Sequence, residues 1–274
     1  MFKKLKSLLL IIPLACVCML CACSNSNNAS EEINVTDLCG RNITLDKPAT
    51  KIAALSASDC EVLYAIGAGD SIIARGTFCD YPEQVKNVKD LGSGELTNIE
   101  ELVAAKPDIV LMSKTGFTLD QVNAMEAAGL KTCVNEPNSF DDTYVYIKLL
   151  GDITGHERQA SDLVASMSKK VNELSQKAKE KSNAEQKTVY FQLCMPMHGY
   201  WTAGKNTFMD EMAQMLYLKN AFNDVDGWAE VSAEQIEARN PDLTIVVDDD
   251  TSFTRPGPRL IDAMSSLYNK AYEG

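Results

Sequence analysis

From residue 51 onward, short runs of β-branched or apolar residues alternate with stretches of helical periodicity. Residues 52–57 read as a strand and 61–66 as a helix that Gly67 closes. A strand at 71–75, a helix at 98–105, a strand at 108–112, a helix at 119–128, a strand at 131–135 and a helix at 140–154 follow. Alternation of this kind implies βα units around a mostly parallel sheet. The rhythm then breaks. Residues 157–181 contain neither Gly nor Pro, and their apolar positions are Ala160, Leu163, Val164, Met167, Val171, Leu174 and Ala178. Steps of three and four predict one amphipathic helix of about 25 residues, about 37 Å long. The βα rhythm resumes with a strand at 188–193, helices at 208–216 and 232–238, a strand at 243–247 and a helix over about 258–272. The expected architecture is α/β, with two βα lobes joined by one long α-helix.

An internal repeat relates the two lobes. Residues 98–108 (NIEELVAAKPD) align without a gap with 232–242 (SAEQIEARNPD). Both segments open with a capping-box pattern, Asn98 with Glu101 and Ser232 with Gln235. Both helices end ahead of a proline, Pro107 or Pro241. Glu100 and Glu234 therefore occupy the same place in the first helical turn of each lobe. An acid there complements the helix dipole. Its recurrence in one register on paired lobes also makes the two glutamates candidates for docking two basic sockets of a partner. The symmetry is incomplete. Pro107 precedes the strand start at Lys131 by 24 residues, whereas Pro241 precedes Arg255 by 14. The C-terminal lobe is expected to be one βα unit shorter, which would uncover a sheet edge.

The N-terminus reads as an address. Lys3, Lys4 and Lys6 precede an apolar run over 8–22 that is short for a membrane-spanning helix, which needs about 20 residues. The run ends in Leu20-Cys21-Ala22-Cys23, which resembles a bacterial lipoprotein signal and implies lipidation at Cys23. Expected boundaries are a signal peptide at 1–22, a lipidated Cys, polar tether and lead-in at 23–50, an N-terminal lobe at 51–155, a bridging helix at 156–183 and a C-terminal lobe at 184–274.

Composition narrows the chemistry. The 274 residues are 45% hydrophobic and 23% charged, which suits a folded globular protein. Formal net charge is −12, and removing residues 1–22 takes three lysines and no acid, leaving −15. That balance argues against nucleic acid, whose phosphates need Lys and Arg. Two histidines leave little material for a Ser-His-Asp set or a His-rich zinc site. Neither a phosphate-binding glycine loop nor a GxSxG elbow is present, so no enzyme activity and no metal site are expected. Asp248–Asp250 reads as a solvated acidic loop. Cys39, Cys60, Cys79, Cys133 and Cys194 include no CxxC, and buried free thiols are the expected state.

The segment 194–204 (CMPMHGYWTAG) follows a strand end, where α/β sheets bind ligands. Read as a loop, it offers Tyr200 and Trp201 as a flat apolar surface, with Trp228 as another. Met195, Met197 and His198 are candidate axial ligands to haem iron or cobalt; core packing and ordinary hydrogen bonding are the plainer alternatives.

These residues resemble the substrate-binding lipoproteins of ABC importers for iron complexes and vitamin B12. The carriers are Cys79-Asp-Tyr-Pro82, residues 98–108, Tyr200-Trp-Thr-Ala-Gly204, Gly227-Trp-Ala-Glu-Val-Ser232 and Arg255-Pro-Gly-Pro-Arg259. The resemblance implies a rigid two-lobe clamp with ligand in the interlobe cleft. Phe78 stands where that family has a cleft tyrosine, Gly94 where some B12 binders have tryptophan, and Trp228 at a cleft aromatic. It further implies ligand contacts from Phe78, Tyr81, Met195, Met197, His198, Tyr200, Trp201, Trp228 and Arg255. Glu100 and Glu234 become the acids that dock the permease. The ligand would be an iron-siderophore, haem or corrinoid, the partners an ABC permease and its ATPase, and the location extracytoplasmic, at the membrane through Cys23. Other readings are a lipoprotein with a sensory or adhesive role, an exported hydrolase, and a shortened paralogue that does not transport.

Overall fold

A computed structural model describes residues 32–182, 186–194, 199–247 and 250–274. The expected signal peptide, Cys23 and nearly all of the tether lie outside the described residues, as do Met195, Met197, His198, Asp248 and Asp249.

The chain enters through an antiparallel hairpin, β1 (Ile33–Thr36) and β2 (Asn42–Leu45), within the stretch read as tether and lead-in. Then come β3 (Ile52–Ala54), α1 (Ala57–Ala65), β4 (Ile72–Arg75), α2 (Ile99–Ala105), β5 (Ile109–Ser113), α3 (Leu119–Ala127), β6 (Thr132–Asn135) and α4 (Phe140–Thr154). The four later strands form one parallel sheet in the order β4-β3-β5-β6. Both faces are covered, which is why β5 reads Ile-Val-Leu-Met without alternation and buries all four residues. The hairpin tip seals the open edge of β6. Val134 N–H donates to Asp37 Oδ2 at 3.0 Å, and an Arg41 guanidinium nitrogen donates to the Thr132 carbonyl at 2.9 Å. Side chains thus satisfy an edge that would otherwise be free to pair.

Helix α5 (Glu157–Lys181) has the bounds its periodicity predicts. Its buried stripe serves two cores in turn. Ala160, Val164 and Met167 pack into the N-terminal core, and Val171, Leu174 and Ala178 into the C-terminal core. One side-chain stripe therefore belongs to both lobes. At its start α5 lies close against α4. A Cβ on Gly151 would stand 2.6 Å from the Ala160 Cβ and 3.3 Å from the Glu157 Cα.

The C-terminal lobe comprises β7 (Thr188–Gln192), β8 (Tyr200–Ala203), α6 (Phe208–Met215), β9 (Lys219–Asn220), β10 (Trp228–Val231), α7 (Ala233–Arg239), β11 (Leu243–Val246) and α8 (Leu260–Tyr272). Its parallel sheet has the order β9-β7-β11, and β8 pairs antiparallel with β10. The order matches the first three strands of the other lobe. No described counterpart of α3 and β6 stands between β11 and α8, as the spacing after Pro241 predicts. Residues 200–203 depart from the expectation of a loop. They are strand β8, because Tyr200 to Ala203 finds a partner in β10 that local sequence does not reveal.

The repeat has a mechanical purpose. Each copy ends in a left-handed residue, Lys106 (φ 51°) or Asn240 (φ 42°), followed by Pro-Asp. Asp108 Oδ2 accepts hydrogen bonds from the N–H groups of Thr50 (2.8 Å) and Lys51 (2.9 Å) ahead of β3. Asp242 Oδ2 accepts from the N–H and hydroxyl of Thr188 (2.7 and 2.9 Å) at the start of β7. In each lobe the aspartate ties the strand after the repeat helix to the first parallel strand of the sheet.

The close contact of α4 and α5 generates the first prediction. Gly151→Ala should lower stability by about 1–3 kcal/mol in chemical denaturation, despite alanine's better helix propensity, because the added methyl collides with Ala160. A neutral or stabilising result would mean that the helices do not meet at this point.

Candidate functional site

The C-terminal ends of the strands converge on a cavity of about 770 Å³ between the lobes. In the N-terminal lobe each strand of the parallel sheet delivers a loop to it. The stretch 55–58 follows β3, Phe78 follows β4, Phe117 follows β5, and 136–138 follow β6. The C-terminal lobe contributes less: Leu193 after β7, Phe208 from α6, Trp228 from β10 and Thr254–Pro256 after β11. The asymmetry follows from topology, since among the described residues no counterpart of β6 supplies a loop matching 135–138. Four aromatic side chains, Phe78, Phe117, Phe208 and Trp228, stand on the wall among serines, threonines and asparagines. Phe78 is 72% exposed, and Trp228 packs on Phe208 with ring centres 5.5 Å apart. Among the described residues the charged lining side chains are both paired, Glu136 with Lys114 at 2.5 Å and Arg255 as follows.

Arg255 joins the lobes. One terminal nitrogen donates to Glu61 Oε1 of α1 at 3.0 Å and to Asp80 Oδ1 at 2.6 Å. The other faces the Phe78 carbonyl at 3.4 Å. Arg259 adds a 3.4 Å contact to Glu61 and lies over the Tyr81 ring, 4.7 Å from its centre. Burial raises the Glu61 carboxyl above its ordinary range, against the opposing pull of the two arginines. The hydrogen bond from Arg255 holds Asp80 below the usual carboxylate range. A second junction lies nearby. The Phe140 N–H, at the start of α4, donates to Glu211 of α6 at 2.7 Å.

Under the cavity floor sits a buried acid. Asn135 lines the cavity and donates to Asp59 Oδ1 at 2.8 Å, and the Tyr146 hydroxyl donates to the same oxygen at 2.8 Å. Asp59 Oδ2 is buried without a hydrogen-bond partner. Burial pushes this carboxyl up to about 7, although both hydrogen bonds favour the charged form.

Of the residues predicted from sequence, Phe78, Trp228 and Arg255 come together at the cavity. Tyr81 is not on its lining and stacks under Arg259 instead. Tyr200 packs with Tyr190, Phe222 and Val231 on the other side of the β8–β10 pair. Trp201 opposes Glu230 and so shares a face with Trp228, two residues farther along, 39% exposed. Met195, Met197 and His198 fall outside the described residues. Glu100 and Glu234 are exposed in the first turns of α2 and α7. The Ser232 side chain holds Glu234 below its ordinary range. The Ser232–Gln235 capping box is complete, whereas Asn98 accepts from the Glu101 N–H and donates to the Glu101 side chain rather than receiving it at its own backbone. Sequence reasoning missed Glu61, Asp80, Phe117 and Phe208. Asp80 alone carried a signal, as part of the Cys79-Asp-Tyr-Pro82 motif.

Residues 52–261 match the model of the periplasmic binding protein family, and the chain belongs to that family. It is 30% identical over 270 residues to an uncharacterised ABC transporter substrate-binding lipoprotein of Bacillus subtilis, YvrC, covering 88% of this chain and 85% of that one. It is 26% identical over 216 residues to a vitamin B12-binding protein of Yersinia pestis, covering 76% and 75%. Among solved structures, a possible iron-binding (periplasmic solute-binding) protein of Staphylococcus epidermidis superposes with a TM-score of 0.67 at 28% identity, covering 81% of this chain and 98% of that one. No helix among the described residues is long and apolar enough to cross a membrane.

Two predictions follow from the buried charges. Arg255→Ala should cost about 3 kcal/mol in urea denaturation, because Glu61 is then buried with only Arg259 beside it. The double variant Glu61→Gln, Arg255→Met should recover part of that loss. For Asp59 the folded-state value lies above the unfolded value of about 3.9, so its contribution is fully present below about pH 3.9 and is lost as pH rises through about 7. Asp59→Asn should therefore gain stability relative to the parent chain as pH rises from 4 to 8. Parallel stability–pH curves for the two proteins would contradict this.

Proposed function

We propose that the protein is an extracytoplasmic solute-binding lipoprotein that captures an iron complex, either a ferric siderophore or haem, or a corrinoid, and hands it to an ABC importer. The observation that carries this reading is the interlobe cavity. Its volume of about 770 Å³ suits a ligand larger than an amino acid or a bare ion. The four aromatic side chains on its wall suit broad, largely apolar ligands, and the charged side chains among its described lining residues are already paired, so a chelate whose metal charge is neutralised internally fits better than an open anion. The printed names of the relatives, a vitamin B12-binding protein and a possible iron-binding protein, point the same way. Phe78, Trp228 and Arg255 are the contacts we assign to ligand. Trp201 extends the platform of Trp228, and Tyr81 supports the cavity indirectly through Arg259. Met195, Met197 and His198 are the axial-ligand candidates that the sequence offers. The role is binding rather than catalysis.

Delivery requires recognition by a permease. Glu100 and Glu234 occupy equivalent, exposed positions on α2 and α7, and we assign them to docking against basic sockets of the permease, which works with its ATPase. Cys23 is the lipid attachment point that holds the chain at the outer face of the cell membrane.

The reading is tested by charge reversal. The double variant Glu100→Arg, Glu234→Arg should bind its chelate with unchanged affinity in vitro yet reduce chelate uptake by cells to the background of a strain lacking the protein. Trp228→Ala should weaken chelate binding at least about tenfold, as loss of a central aromatic anchor does, with the fold intact by circular dichroism. Undiminished uptake by the charge-reversed protein would overturn the docking assignment.

A further inference from the structure

Two buried thiols meet in the N-terminal lobe. Cys60 lies near the start of α1, and Cys79 lies in the loop after β4. Neither side chain reaches solvent. Both sulfurs donate to one atom, the Ala54 carbonyl oxygen, Cys60 at 3.8 Å and Cys79 at 3.5 Å. No other two cysteines among the described residues share an acceptor. Their neighbours give the pair its meaning. Cys60 precedes Glu61, and Cys79 stands between Phe78 and Asp80. The two cysteines are thus the residues immediately before the two acids that grip Arg255, and one of them adjoins the most exposed aromatic of the cavity.

We propose that Cys60 and Cys79 form a disulfide that staples the loop carrying Phe78 and Asp80 to α1 and fixes the seat of Arg255. The inference rests on the export proposed above, since an oxidising compartment keeps such a bond. The reaction is thiol–disulfide exchange with a disulfide oxidant. One cysteine thiolate attacks the oxidant and expels one thiol, giving a mixed disulfide. The second cysteine then attacks that bond and expels the second thiol. The cysteines lose two electrons and two protons, and the released thiols carry both. The neighbouring Cys79 and burial raise the Cys60 thiol well above its ordinary range, so the folded dithiol is inert. Exchange therefore belongs to the folding chain, before α1 and the loop close over the sulfurs, and the finished bond is shielded from reductant. Eighteen residues lie between the two cysteines, a loop long enough for closure to restrict the unfolded chain appreciably.

The test refolds the full chain from denaturant in a buffer of reduced and oxidised glutathione, blocks remaining thiols by alkylation under denaturing conditions, and maps the digested peptides by mass spectrometry. The same map is made on protein blocked with N-ethylmaleimide before cell lysis, which needs no refolding. The expected result in both is a peptide joining Cys60 to Cys79, lighter than the reduced pair by two hydrogens. The expected Tm falls by roughly 5–10 °C on reduction, and the double variant Cys60→Ser, Cys79→Ser shows no such response. Cys60 and Cys79 both alkylated in folded protein from either source, or joined to other partners, would overturn the proposal. The refolding readout does not depend on where the cell places the chain, and fractionation reads that separately.

Discussion

Arg255 is the point at which the two lobes become one object. Its guanidinium comes from the C-terminal lobe and is held by two carboxylates of the other, Glu61 at 3.0 Å and Asp80 at 2.6 Å. Glu61 is almost fully buried, so its charge is tolerable only while a cation stands against it. That makes the arrangement close to all-or-none: a rotation of one lobe that withdrew Arg255 would draw off Arg259 of the same lobe as well and strand a buried carboxylate. Helix α5 supplies the second restraint, because its single apolar stripe is divided between both cores. A cavity bounded by such lobes keeps its shape without ligand, which lowers the ordering cost of binding.

The same constraint explains how a shortened lobe still makes half of a cleft. With no counterpart of α3 and β6, the C-terminal lobe presents few strand-end loops, and most of the cavity lining comes from the N-terminal side. What the short lobe does supply is concentrated. Trp228 and Phe208 form one aromatic block, and the turn after β11 delivers Arg255 and Pro256 directly. The Arg-Pro-Gly-Pro-Arg stretch stands against α1, where Gly257 lies beside Val62 and Ser58. The turn that replaces a βα unit is thus also the turn that clamps the lobes.

Elements with a local period were legible in the sequence. The bounds of α4 and α5, six parallel strands at 52, 72, 109, 132, 188 and 243, and the repeat of α2 and α7 all follow from spacing and capping residues. The shortened lobe was legible as well, since a gapless repeat fixes where its next element should start. The hairpin β1–β2 and the β8–β10 pair were not. Their strands pair antiparallel outside the βα rhythm, and a short strand without that rhythm is specified by its partner rather than by its own pattern. The site divided along the same line. Phe78, Trp228 and Arg255 carried motif signals. Glu61 meets Arg255 across 194 positions, and nothing local marks an acid whose partner is that distant. Tyr81 illustrates the converse: its motif suggested a ligand contact, and its ring is occupied by Arg259.

We assign the pre-shaped interlobe cavity, with four aromatic side chains on its wall, to chelate binding. Trp228 on its wall provides the reporter. Titration of the protein with haem, a corrinoid and a ferric hydroxamate, followed by tryptophan fluorescence with Trp201→Phe to isolate Trp228, tests it most directly. The account predicts saturable quenching by at least one of them at one equivalent per chain. Quenching that rises linearly with every compound, without saturation, would contradict it.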